Sequence, residues 1–468
     1  MSVAHGAPLD EGLLDAVPKD AVDICLRLSE RGLRGWIVGG CVRDLLRGAE
    51  AKDWDVATDA RPKQVQRMFR RVIPTGIKHG TVTVLRDGEP YEVTTLRGEG
   101  AYHDGRRPEE VEFIQDIVED LARRDFTFNA MAIDPLTARL IDPFQGRQDL
   151  EDRLLRAVGQ PQARFAEDGL RVLRATRFAA TLECTIEPAT LKAMGARRSL
   201  DTLAKVSAER VRDEWLKTML APKPSTGFSA MEKCRALEVI CPELVEAVGC
   251  EQNRWHSLDV WEHSLAVVDA CPADPILRMA ALLHDVAKPR TRRHSNKTED
   301  YTFYNHESVG ADLADQILRR LKLSNEDRQR AVHIIRHHLL CYSPDWTDAA
   351  VRRWVRRVTP DRMVDLFAMG RADALGKGRA CEEDLASVDQ LEARVAAVLA
   401  AGAALGPRDL AVNGTVLMAE LDLEPGPVVG ELMRELVEMV TDDPTANEPD
   451  RLVEAARLLL AERRGGQS

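Results

Sequence analysis

The stretch 35–58, GWIVGGCVRDLLRGAEAKDWDVAT, constrains the fold more than any other part of the chain. Trp36-Ile37-Val38 reads as a buried strand, Gly39-Gly40 as a tight turn, and Cys41 to Leu46 as the start of a helix. Glycines at such a bend let backbone amides approach an anion, and the helix N-terminus adds favourable partial charge for a phosphate. After a polar loop, Asp53-Trp54-Asp55-Val56-Ala57 reads as a second strand. Side chains alternate across a strand, so the carboxylates of Asp53 and Asp55 are expected on one face. Two hard oxygen ligands beside a phosphate cradle make a magnesium site. A Gly-Gly turn is common, and Asp-x-Asp is more often a solvated strand end than a metal clamp. Their order and closeness place cradle and clamp in one crevice.

The 468 residues suffice for two to four domains at roughly 100 to 200 residues each. With 44% hydrophobic and 30% charged residues, disorder is excluded as the dominant state. A formal charge of −11 argues against coating of nucleic acid by the whole surface, so an RNA partner must be met by local basic patches. Nine cysteines without a C-x-x-C pair suit reduced thiols rather than a disulfide framework or structural zinc. The N-terminal MSVAHGAPLDEGLLDAVPKD lacks a basic-apolar secretory layout, and no apolar run approaches membrane-spanning length. The expectation is a cytoplasmic protein with no membrane partner.

Ahead of the organising stretch, Ala21 to Leu33 has amphipathic helical spacing; beyond it, Pro62 to Phe69 reads as a short helix. Gly80 to Leu85 and Tyr91 to Leu96 alternate as hairpin strands around an Arg86-Asp87-Gly88-Glu89 turn, with Glu92 placed to face the aspartates as a third carboxylate. RGEGAYHDGRRPEE, residues 97–110, reads as a flexible loop whose arginines suit a lid over an anion, or as an idle surface loop. Within 121–131, Arg123 and Arg124 stand among apolar residues and must pair with local acids or hold phosphates.

After the turn at 142–146 the strand signals stop. A helix is expected from Phe165, with Asp168, Arg171 and Arg174 on one face. A surface ion-pair ladder is the ordinary explanation. The sharper one is base selection: an aspartate accepts from an exocyclic amine and an arginine donates to a ring nitrogen or carbonyl, a pattern that suits C and A over G and U. Residues 221–227, APKPSTG, read as a linker.

In order along the chain, GGCVRD, DWDVAT, EVTTLR, YHDGRRP, RRDFTFNAMA and EDGLRVLRATRF resemble the tRNA nucleotidyltransferases that add CCA to tRNA 3′ ends, together with the similar bacterial poly(A) polymerases. The resemblance spans about Gly35 to Leu220. It implies that Asp53 and Asp55 hold magnesium, that Gly39, Gly40 and Arg43 contact nucleotide phosphates or ribose, and that Arg123 or Arg124 binds the triphosphate. It further implies that Asp168 and Arg171 read the incoming base with Arg174 in support, and that the loop near Tyr102 to Arg107 helps the switch from C to A. ATP, CTP and tRNA are the implied partners. The text at Gly76 to Val82 looks like the tRNA enzymes rather than the poly(A) polymerases; an enzyme adding only the terminal A carries almost the same motifs.

Farther on, His263, the His284-Asp285 pair, His306, the His337-His338 pair and Asp373 form a spaced series that resembles the HD superfamily of metal-dependent phosphohydrolases. Neutral imidazoles and carboxylates suit a divalent metal of unassigned identity, which activates water against a phosphate ester. The resemblance implies a first metal on His263, His284, Asp285 and Asp373, support for a second from His306 and His337, and a phosphate contact at Lys288. A cyclic phosphodiesterase, nucleotidase or phosphatase activity is implied, with RNA binding by a degenerate domain as the alternative. Arg352, Arg353, Arg356 and Arg357 form a basic cluster that suits either phosphate contact or a solvated helix face.

The expected architecture is an α/β nucleotidyltransferase head with a small mixed sheet and helices at 1–155, an all-α neck at 156–225, an HD domain at 226–380 and a helical tail at 381–468. Two other classes compete with a transferase: a phosphohydrolase whose head merely binds RNA, and a non-catalytic RNA-binding protein.

Overall fold

The computed structural model describes residues 6–10, 12–98, 113–402 and 405–465. Most of the loop expected at 97–110, including Tyr102 to Arg107, lies outside them. Two compact units are present, 1–245 with 320–322 and 246–319 with 323–468.

In the first unit Gly35–Val38 is buried along its whole length, because it is paired on both edges inside a sheet. Eight strands form that sheet: β1 Ala7–Pro8, β2 Gly35–Val38, β3 Asp55–Thr58, β4 Val72–Gly76, β5 Thr81–Arg86, β6 Glu89–Thr95, β7 Ala132–Asp134 and β8 Arg139–Ile141. Their order is β1-β8-β7-β2-β3-β6-β5-β4, with β3 and β6 parallel and the other neighbours antiparallel. It is the expected mixed sheet. The hairpin turns on Asp87-Gly88, both at positive φ, the backbone that a two-residue hairpin loop demands. Trp36, Val38, Ala57, Leu96, Ile117 and Leu121 pack into one core beneath it.

Helices dominate beyond Gly146, interrupted by the short strand pair Leu154–Leu155 with Thr185–Ile186 and the hairpin Arg293–Ser295 with Asp300–Thr302. Two and three residues per strand are too few to leave an alternation signal. The single helix expected from Phe165 is two, Pro161–Glu167 and Leu170–Thr181. At the break Asp168 is extended, and a Cβ on Gly169 would fall 2.3 Å from the Leu203 amide nitrogen. The expected linker at 221–227 is also structured: Pro224 starts the helix Pro224–Lys233, as proline at a first helical position can. Gly227 brings that helix against Thr176 and Thr218, where a Cβ would lie 3.0 Å from the Thr176 carbonyl oxygen.

The second unit carries the helices Val260–Ala270, Pro275–Leu283, Asn325–His337, Asp348–Val358, Met363–Gly376 and Glu382–Ala400. Gly414–Leu421, Pro427–Asp442 and Pro449–Gly465 close the chain around their own core of Leu417, Leu436, Val440 and Leu452. Asn413 caps the first of these by accepting from the Val416 amide. The arginine cluster is mostly structural. Arg352 donates to the Thr441 and Asp442 carbonyls at 2.6 and 3.1 Å, Arg353 pairs with Asp442, and Arg356 with Glu438 at 2.8 Å. These arginines therefore hold the C-terminal end of Pro427–Asp442, where unpaired carbonyls and the helix dipole favour cations. Arg357 stays exposed.

Candidate active and metal sites

The head site is built where β2 ends and β3 begins. Gly39 sits at φ 89° and ψ −145°, open only to glycine, and turns the chain into the helix Gly40–Leu46. A Cβ at Gly39 would lie 3.1 Å from Asp55 Oδ2 and 3.6 Å from an Arg124 guanidinium nitrogen. Asp55 opens β3 in register with Val38 on one side and Glu92 on the other. Asp53 lies two residues before β3 rather than on it. Burial raises the Asp55 carboxyl to about 6, and the charges of Glu92 and Asp53 add to the rise against the opposing pull of Arg124. A buried carboxyl raised by two acidic neighbours belongs to a donor set that a hard divalent cation relieves, so the residues fit a divalent metal.

The arginines beside this bend are held by local acids. Arg123 donates to Asp120 Oδ1 at 2.9 and 2.7 Å, while Arg124 reaches Asp120 Oδ2 at 3.4 Å and the Asn129 carbonyl at 3.3 Å. Asp120, 2% exposed, was not singled out from sequence, although its spacing to both arginines is that of one helix face. Arg43 forks onto Asp44 and donates to Asn129 Oδ1 at 3.0 Å. Asn129 in turn donates to Asp125 at 3.1 Å, and Asp125 accepts from Arg174 at 2.8 Å.

Asp168, Arg171 and Arg174 do not form a ladder. Asp168 accepts from the Leu170 amide and from Arg210 at 2.8 Å; Arg171 is bound to Glu167 at 2.5 Å and to the Arg164 and Arg123 carbonyls. The helix break at Asp168-Gly169 takes Asp168 out of the helical register that the spacing implied.

In the second unit four histidines converge. His263, His284, His306 and His338 each place Nδ1 on a backbone carbonyl, of Gly376, Ala281, Phe303 and Ile335, at 2.7 to 3.0 Å. A carbonyl only accepts, so each Nδ1 carries a proton and each Nε2 is the ring nitrogen left to take a proton or a metal ion. The Nε2 atoms of His263 and His284 are 3.2 Å apart, and those of His306 and His338 3.4 Å. Asp373 lies 3.1 Å from His263 and Asp285 3.1 Å from His284. Burial opposes charging His284, yet Asp285 and Asp373 raise it to about 10; burial and the His284 charge push His338 down to about 3. Imidazole nitrogens and carboxylates brought this close call for a cation, a proton on His284 or a metal ion in its place, and two sets, His263 with His284 and Asp373, and His284 with Asp285 and His338, have metal-binding spacing. His337, expected here, turns away and packs at a tilt against His333, 4.6 Å between ring centres. Consecutive residues point about 100° apart at a helix end, so only one histidine of the pair can face the cluster. Lys288, also buried, is committed to Asp285 and Gln252, both at 2.6 Å.

A glycine bend and an aspartate-led strand in a mixed sheet, followed by helices and a histidine-bearing bundle, have the layout of the nucleotidyltransferase class. The families described as "Poly A polymerase head domain", "Probable RNA and SrmB- binding site of polymerase A" and "HD domain" match residues 35–156, 184–248 and 255–370. The CCA-adding enzyme of Streptococcus gordonii is 33% identical over 430 residues, 92% of this chain and 94% of that one. That of Lactobacillus johnsonii is 48% identical over 208 residues, 44% of this chain and only 52%, about half, of that enzyme's length. The solved Bacillus stearothermophilus CCA-adding enzyme in complex with CTP is similar with a TM-score of 0.67 and 27% identity, covering 96% of this chain and 98% of that one. The chain belongs to the CCA-adding enzyme family. Among the described residues no helix is long and apolar enough to cross a membrane.

Proposed function

We propose that this enzyme transfers CMP and AMP from CTP and ATP to the 3′-hydroxyl of tRNA, releasing pyrophosphate. The observation that carries it is the Asp55 carboxylate, raised to about 6 beside Glu92 and pressed against the Gly39 bend. Asp53 and Asp55 would hold the magnesium, with Glu92 as a third carboxylate. Bound there, the ion lowers the pKa of the attacking hydroxyl and neutralises the triphosphate. The Gly39-Gly40 bend admits the phosphates close to backbone amides, and Arg43, Arg123 and Arg124, pre-oriented by Asp44 and Asp120, counter their charge. Asp168 and Arg171 select the base, with Arg174 behind them. The nine free cysteines suit a reducing compartment, and the cytoplasm is the place assigned to the reaction.

Transfer RNA ending before CCA, and tRNA ending in CC, offered each nucleoside triphosphate separately, tests the assignment. Extension of both, by CTP and then ATP, is expected; extension of the CC end alone reassigns the enzyme to A addition. With Asp53→Ala, incorporation should vanish while tRNA binding persists, and retained incorporation would refute the head mechanism.

The convergent Nε2 atoms favour a second activity, hydrolysis of phosphate esters at the histidine cluster. His263, His284, Asp285, Asp373, His306 and His338 would hold the divalent metal, which when bound supplies an activated water. Release of phosphate or ring-opened product from ribose phosphates, lost in Asp285→Asn while CCA addition continues, is the expected result; equal hydrolysis by Asp285→Asn would exclude the cluster.

A further inference from the structure

Trp255 stands 56% exposed, against the usual preference of indole for burial. The loop that presents it is braced. Ser257 Oγ donates to the Gly378 carbonyl at 2.7 Å, Arg379 Nε to the Trp255 carbonyl at 2.6 Å, and Arg254 to Asp300 at 3.0 Å. Gly378, at φ 70°, permits the first contact, since a Cβ there would meet Ser257 Oγ at 2.3 Å. Two ties join this loop to the histidine cluster. The next residue, His256, lays its ring edge-on to His263 at 5.0 Å, and Gln252 accepts from Lys288, the partner of Asp285. The same Met363–Gly376 helix that ends on the Gly376 carbonyl held by His263 leads directly into Arg379, whose guanidinium lies 5.4 Å from the indole centre.

We propose that Trp255 is a specificity-determining residue of the histidine site, stacking the planar base of a nucleotide whose phosphate ester enters the cluster; this rests on the phosphohydrolase reading above. A rigid exposed indole backed by a cation is a platform for a base, because every base has a π face and the guanidinium strengthens the stack. Gln252, His256 and Arg379 fix the platform's distance from the cluster, so the site prefers a phosphate carried on a nucleoside to one on a base-less alcohol.

The test uses the full chain loaded with a divalent metal, and compares wild type, Trp255→Ala and Trp255→Phe. For hydrolysis of adenosine 2′-monophosphate, Trp255→Ala should raise KM about tenfold with kcat nearly constant, Trp255→Phe should restore it, and KM for glycerol 2-phosphate should move less than twofold. A KM change of equal size on both substrates would overturn the stacking role. Fluorescence gives a second readout that needs no turnover. Adenosine 2′-monophosphate should quench a component present in wild type and missing in Trp255→Phe, and identical quenching in the two proteins would overturn the proposal. A short RNA with a terminal 3′-phosphate, run alongside, tells whether the base belongs to a free nucleotide or to an RNA end by which quenches at lower concentration. Failure to retain metal or to hydrolyse glycerol 2-phosphate would count against the phosphohydrolase reading alone, because the fluorescence difference reports stacking without it.

Discussion

Gly39 and Asp55 face each other at the end of the β2–β3 pair, where a Cβ at Gly39 would lie 3.1 Å from Asp55 Oδ2. A side chain at Gly39 meets two obstacles: a backbone at φ 89° that L residues rarely adopt, and the carboxylate proposed to bind magnesium. Gly39→Ala should therefore cost about 2 kcal/mol of stability and lower kcat for both CMP and AMP addition by at least about tenfold. Thermal melts with single-turnover incorporation check this, and a fully active variant would show that the contact is incidental.

Along the head, the sequence made much of this site legible. The apolar run, the double glycine and the spaced aspartates each have a local physical cause, and Glu92 follows from hairpin alternation once the Asp87-Gly88 turn is recognised. Asp120, Asp125 and Asn129 were harder to see, because their meaning lies in partners such as Arg174, 49 residues from Asp125, that no local pattern announces. The break at Asp168-Gly169 was hidden because its cause is the Leu203 backbone, a tertiary contact. His337 and His338 could not be separated without the helix phase at that terminus.

Asp125 gives the fold a pH dependence. Burial would raise its carboxyl, but Arg174 beside it and the hydrogen bonds from Asn129 and Arg174 lower it to about 2 from an ordinary 3.8. A depressed carboxyl contributes stability that is full above the unfolded value and lost as pH falls through the folded one, here between about 4 and 2. Asp125→Asn should remove about 2 kcal/mol at pH 7 and flatten the remaining loss below pH 4. Urea unfolding at pH 7, 4 and 3 tests both; parallel curves for the two proteins would dismiss the linkage.

Base choice should respond to Asp168 through two routes, since it caps Leu170 and holds Arg210 at 2.8 Å. Asp168→Ala should narrow the preference for CTP over UTP by about tenfold or more, the worth of one well-placed base contact. Arg210→Ala leaves the carboxylate in place and should change the preference less. Competition between labelled CTP and UTP on tRNA lacking CCA measures it, and an Asp168→Ala enzyme as selective as wild type would remove the residue from the selector.

The two adjacent histidines at the end of the helix Asn325–His337 give opposite expectations. His338 aims Nε2 at His306 and Asp285, at 3.4 and 4.0 Å, with its Nδ1 proton fixed on the Ile335 carbonyl. His337 packs at a tilt against His333, and burial lowers it to about 4, so it stays neutral at physiological pH in either state of the cluster. His338→Ala should weaken divalent-metal retention by about tenfold to a hundredfold, as loss of a metal-site partner does, whereas His337→Ala should leave it within twofold. Elemental analysis after dialysis against graded chelator reads this directly. Equal metal loss from both variants would mean that the helix end rearranges around the metal and brings His337 in.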